Sequence, residues 1–176
     1  MRIKGQECFK DYSQEILLPR PGGEAISLKI SPLPLGFHRR LRKQGIVSPQ
    51  PPRRVARDSN QQPIRDERGQ AVFMEHERDE AYVEALEMYH QRIAVLMIAE
   101  ALSSDGNVEF ATEIPVEGNL VSCADALYVE LEESGFQAGD LILLCNEIGK
   151  LSNLFDEHLG DSQQHFLSEV HQGRRT

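Results

Sequence analysis

No apolar run in this 176-residue sequence approaches the roughly 20 residues that a membrane-spanning helix requires. Residues 93–99 and 141–145 are apolar but short. Behind the charges of Met1-Arg2-Ile3-Lys4-Gly5 there is no hydrophobic stretch of the kind a secretory signal needs, so the expectation is a cytoplasmic protein with no membrane partner. Cysteine is sparse as well. Cys8, Cys123 and Cys145 stand far apart and form no Cys-x-x-Cys, which points to a reducing compartment and away from a structural zinc site.

Catalytic and cofactor signatures are also missing. There is no Gly-x-Gly-x-x-Gly, and Gly149-Lys150 lacks both the earlier glycine and the following Ser or Thr of a phosphate-binding loop. Gly160-Asp161-Ser162 fails at the last position of a nucleophile elbow. Glu87-Met88-Tyr89-His90 is a single Glu-x-x-His, whereas a di-iron bundle needs two of them plus two further glutamates. His158, His165 and His171 share a face only if a helix runs through Gly160. Glu75-His76-Glu77 reads as a charged entry to a helix. The sequence-based expectation is a protein that is not an enzyme and has no cofactor or metal; a triad assembled from distant residues stays open.

What is present is strongly asymmetric in charge. Residues 38–68 carry nine basic and three acidic residues, net +6, whereas residues 69–176 carry five basic and 21 acidic, net −16. The acidic part is also the helical part, so most of its charge is expected on a solvated face.

Hydrophobic periodicity predicts an α+β fold, mainly helical, treated as a single domain over residues 1–176: an N-terminal β-hairpin packed on a bundle of three to four helices. Residues 1–37 form the hairpin and an extended apolar segment. Glu15-Ile16-Leu17-Leu18 and Ile26-Ser27-Leu28-Lys29-Ile30 are its strands, and Pro19-Arg20-Pro21-Gly22-Gly23 is the turn. Prolines 32 and 34 hold Leu33, Leu35 and Phe37 in an extended stretch laid against the body. A short basic helix spans residues 38–44 and ends at Gly45. Residues 46–72, rich in proline and polar side chains, read as a long mobile basic loop without regular structure. The helical body covers residues 78–171. A long helix over 79–102 carries the stripe Tyr82, Leu86, Tyr89, Ile93 and Leu96. Further helices are expected over 121–133, from about 139 to 155, and over 161–171.

The residues expected to contact a protein partner are Leu33, Leu35 and Phe37 together with Arg39, Arg40, Arg42, Lys43, Arg53 and Arg54. A proline-locked apolar segment loses little entropy on docking. The same cations could neutralise phosphates, but they lack interleaved aromatics beyond Phe37, and the acidic remainder repels a polyanion, which disfavours nucleic acid. The opposed charges also suggest homo-oligomers formed basic segment on acidic body.

One layout in the chain resembles a known family. The strand Leu28-Lys29-Ile30 feeds Ser31-Pro32-Leu33-Pro34-Leu35-Gly36-Phe37, then a proline-rich basic loop. An acidic lead into Ala81-Tyr82, Tyr89 and Arg92 follows on a long helix, then Val108-Glu109-Phe110 and two amphipathic helices. Over about residues 24–150 this resembles the tail assembly chaperones of long-tailed bacteriophages. The resemblance implies a non-catalytic role: binding the tape-measure protein, helping to recruit tail-tube subunits, and leaving before the particle is complete. The family has no active-site motif to carry over. The alternatives are a structural adaptor retained in the neck or tail, and a nucleic-acid-associated regulator using the basic loop.

Overall fold

The period-two pattern of Ile16, Leu18, Leu28 and Ile30 is satisfied by a hairpin that buries all four side chains. The computed structural model describes residues 2–3, 6–7, 12–20, 22–23 and 25–152. A first short antiparallel pair, β1 (Arg2–Ile3) and β2 (Gln6–Glu7), precedes this hairpin of β3 (Gln14–Leu18) and β4 (Ile26–Ile30), registered Gln14 opposite Ile30 and Leu18 opposite Ile26. Gly22 and Gly23 take positive φ in the connecting turn, as expected.

The chain divides into two compact units, residues 1–46 with 92–176, and residues 47–91. Length led to the expectation of one domain over residues 1–176, and within it the contacts gather into these two units. The proline-rich stretch after residue 46 shows no apolar period, and the second unit combines short strands and turns with the first half of α2 (Glu80–Leu102).

Among the described residues of the first unit the helices are α1 (Phe37–Lys43), the second half of α2 (Glu80–Leu102), α3 (Val121–Glu133) and α4 (Ala138–Leu151). The architecture is therefore α+β and mainly helical. Residues 95–99 of α2 are buried all round, as their uninterrupted apolar run requires. The outer edge of β4 is closed by the end of α2: the Ser31 N–H donates to the Ala101 carbonyl at 2.9 Å and the Lys29 N–H to Asp105 at 2.7 Å. Arg20, beside the hairpin turn, donates to Asp140 in the first turn of α4 at 2.8 Å and lies 5.7 Å over the ring of Phe136.

Two helix ends share one solution. After α1, the Ile46 N–H donates to the Leu41 carbonyl and the Gly45 N–H to that of Arg42; after α3, Phe136 and Gly135 do the same to Leu131 and Glu132. Both are Schellman caps, with the glycine in the left-handed region. Gly45 is further constrained, because a Cβ there would lie 3.0 Å from Asn119 Oδ1.

Residues 33–37 are not one extended segment. The Phe37 N–H donates to the Pro34 carbonyl at 2.9 Å, Leu35 and Gly36 form a turn, and α1 begins at Phe37 itself. The prolines block a ladder, but the residue after Gly36 is free to start a helix. The helix expected over residues 161–171, residues 153–155 of the helix expected from about 139 to 155, Cys8 and the C-terminal histidines lie outside the described residues.

The second unit corrects the reading of residues 46–72 as a loop without regular structure. β5 (Arg53–Val55) pairs antiparallel with β6 (Phe73–Glu75), and bridges join Arg57 to Pro63 and Arg65 to Ala71. At the centre three backbone hydrogen bonds close a ring. Ala56 N–H donates to Val72 O, Ile64 N–H to Ala56 O, and Val72 N–H to Ile64 O, at 2.8 to 2.9 Å. The three ring residues are eight positions apart, and from them radiate two tight hairpins and the β5–β6 pair. The hairpins are near copies. In each, an aspartate (Asp58 or Asp66) accepts two backbone N–H groups, and the preceding arginine (Arg57 or Arg65) donates to the carbonyl of the residue at positive φ (Gln61 or Gly69). Such turns satisfy the backbone with short polar side chains, so they need neither the period-two nor the 3.6-residue apolar pattern of a strand or helix.

Candidate protein-binding surface

The basic face of α1 follows from its composition. Leu41 and Phe37 are buried, which turns Arg39, Arg42 and Lys43 outward. No ion pair within 4.0 Å involves any of these three among the described residues. Arg40 differs: it donates to Glu100 on α2 at 2.6 Å and lies over the Phe37 ring at 5.7 Å. Lys43 and Arg42 stand in the last turn, where cations favour the negative end of the helix dipole.

At the N-terminal end of α1, Leu35 is wholly exposed, with a relative accessibility of 104%. The Arg39 guanidinium reaches back to within 3.9 Å of where a Cβ on Gly36 would stand. At the C-terminal end lies a shallow groove of about 510 Å³ lined by Arg40, Lys43, Gln44, Gly45 and residues 116–119. Val116, on its rim, is 91% exposed. Gln44 is buried and its amide donates to the carbonyls of Pro115 and Val116, which fixes that rim against the end of α1.

The expected partner-contact residues therefore separate. Leu35, Arg39, Arg42 and Lys43 share one exposed surface. Leu33 is half-buried, with its N–H held by the Ser152 hydroxyl at 2.9 Å, and Phe37 belongs to the core. Arg40 is engaged with Glu100. Arg53 and Arg54 belong to the second unit, where they pair with Glu75 and Asp79 at 3.1 and 2.9 Å.

The loop between α2 and α3, whose residues form that rim, is pinned by carboxylates. Glu130 accepts the N–H groups of Ala111 and Thr112 at 2.6 and 2.9 Å. Desolvation alone would raise its pKa, but these hydrogen bonds prevail and hold the carboxyl below its ordinary range. Asp105, bonded to the N–H groups of Lys29 and Asn107, is lowered for the same reason. Neither described cysteine is an activated nucleophile: burial raises the Cys123 thiol, and pushes that of Cys145 up to about 12.

Sequence reasoning missed the repeat in the second unit. The signal was there: an apolar pair recurs every eight residues as Val55-Ala56, Pro63-Ile64 and Ala71-Val72, and Arg-Asp follows the first two. It falls below the 20- to 50-residue periods that mark repeat architectures. No described helix is long and apolar enough to cross a membrane. Comparison with protein-family models, with curated proteins and with solved structures returns no match.

Proposed function

We propose that this chain is a non-catalytic protein-binding protein, working in phage tail assembly in the manner of the tail assembly chaperones its layout resembles. The observation that carries the binding role is the surface along α1: fully exposed Leu35 beside Arg39, Arg42 and Lys43, none of them in an ion pair among the described residues. An exposed leucine supplies apolar area, and adjacent unpaired cations supply steering toward an acidic partner. The resemblance implies the tape-measure protein as partner, with tail-tube subunits the second partner class, and an acidic segment on either would meet these cations. The tail-specific part of this reading rests on the resemblance alone.

The test is co-purification with a coiled-coil fragment of a tape-measure protein, using wild type and a variant with Leu35, Arg39, Arg42 and Lys43 changed to Ser. Salt-sensitive capture by wild type and loss in the variant are the expected results. Equal capture by both, or none by wild type, overturns the reading. Recovery of the chain in finished particles would favour the adaptor, and salt-steep binding of duplex DNA the nucleic-acid regulator.

A further inference from the structure

The three-way junction of the second unit arranges a face. Residues paired across an antiparallel ladder point to the same side, and residues two apart along a strand do so as well. Val55 and Arg57 flank Ala56 of the central ring, Pro63 and Arg65 flank Ile64, and Ala71 and Phe73 flank Val72, while the pairs Val55–Phe73, Arg57–Pro63 and Arg65–Ala71 join them across the ladders, so all six side chains project to one side. The result is an apolar centre of half-buried Val55 and Ala71 with Phe73, which is 61% exposed, rimmed by Arg57 and Arg65. Each of these arginines uses one nitrogen on a carbonyl of its own hairpin, and neither meets a carboxylate within 4.0 Å among the described residues. Arg53, on the same side, is neutralised by Glu75.

A surface of matching pattern and opposite sign exists on α3. Ala126, Val129 and Glu133 follow one another at spacings of three and four along its exposed side, with Glu132 beside them, and Val129 is 48% exposed. Glu130 and Asp125 are engaged elsewhere, with the Ala111 and Thr112 amides and with Arg92. Glu132 and Glu133 form no ion pair among the described residues.

We infer that the chain self-associates head to tail, the Phe73–Arg57–Arg65 face of one copy docking on the Val129–Glu132–Glu133 face of α3 in a second copy. Apolar centre meets apolar centre and cationic rim meets acidic rim. The two surfaces differ, so the contact is heterologous and closes into a ring or extends as a filament according to its rotation. Both patches are much smaller than the roughly 20–30 residues a side of a standard interface, so association is weak and concentration-dependent. The α1 surface takes no part, so this inference stands apart from the proposed binding of tail proteins.

The experiment is sedimentation velocity and light scattering of the full chain over a wide concentration range at low and high salt. Wild type should associate at low salt and dissociate at high salt. Arg57→Glu with Arg65→Glu, and separately Glu132→Arg with Glu133→Arg, should each be monomeric, and an equimolar mixture of the two should associate again. Because Arg57 and Arg65 also fasten their own hairpins, Phe73→Ser serves as a second probe of that face. It leaves those bonds in place and should weaken association about tenfold with an unchanged circular dichroism spectrum. The Leu35, Arg39, Arg42, Lys43 to Ser variant should associate as wild type does. A wild type that stays monomeric throughout, a Phe73→Ser variant that associates normally, or a mixture that fails to recover association overturns the inference.

Discussion

Arg92 on α2 grips Asp125 on α3 with two prongs, Nε at 2.7 Å from one carboxylate oxygen and a terminal nitrogen at 3.0 Å from the other. The planar fork of a guanidinium matches a carboxylate, which makes this the best-formed link between the two helices. The hydrogen bond to Asp125 raises the Arg92 pKa above its ordinary value. The pair is partly exposed, so water and salt screen it. Asp125→Asn should therefore lower the unfolding free energy by only about 1 kcal/mol. Urea denaturation at low and high salt checks this, the difference from wild type shrinking as salt rises.

Glu130 makes the first unit sensitive to acid. Its folded pKa lies below the ordinary value, so its stabilising contribution is fully present above the ordinary glutamate range and is lost as pH falls through the lowered folded value. Asp105 and Asp140 are shifted the same way, Asp140 against its desolvation by the hydrogen bond from Arg20. Wild type should lose stability progressively below about pH 4. Glu130→Gln should be less stable than wild type at pH 7 and show a shallower acid slope. Amide exchange at Ala111 and Thr112 should accelerate in that variant, since those are the N–H groups the carboxylate holds.

What could be read from the chain depended on which force shaped each part. The hairpin of β3 and β4, the long α2 and the bounds of α3 were legible because burial imposes period two or 3.6 on Ile16, Leu28, Leu96 and Leu127. Gly45 and Gly135 marked helix ends because only a residue tolerant of positive φ closes a Schellman cap cheaply. The second unit was illegible to the same reading. Its hydrogen bonds run from Asp58 and Asp66 to nearby amides, and that chemistry is local and polar. On the candidate surface, the exposure of Leu35 and the burial of Phe37 were indistinguishable in sequence. The turn at Leu35 and Gly36 decides between them, and alternating prolines conceal it.

Leu96 tests the buried half of α2. It is 3% exposed and sits among residues that are buried all round the helix. Leu96→Asp puts an unpaired carboxylate into that core, at a cost of order 3–5 kcal/mol, which is a large share of a domain's stability. The variant should be unfolded or aggregate on purification. A cooperative thermal transition within a few degrees of wild type would show that the α2 core is not packed as described.

Gln61 and Gly69 occupy the same place in the two near-identical hairpins of the second unit, and both hold positive φ, 65° and 76°. Glycine adopts this conformation without strain, whereas glutamine pays steric energy of about 1–2 kcal/mol there. Gln61→Gly relieves that strain and loses part of the gain to a more flexible unfolded chain, for a net stabilisation of about 0.5–1 kcal/mol. Gly69→Gln should destabilise its own hairpin by a similar amount. Trypsin provides the readout, because Arg57, Arg65 and Arg68 lie in or beside these turns. Cleavage after Arg57 should slow in Gln61→Gly, and cleavage after Arg65 and Arg68 should accelerate in Gly69→Gln. Cutting at Arg92 should remain slow in both, since that residue lies inside α2 and is held by Asp125. If the two substitutions leave all three rates unchanged, the hairpins are not closed by the paired Asp58 and Asp66 turns in solution.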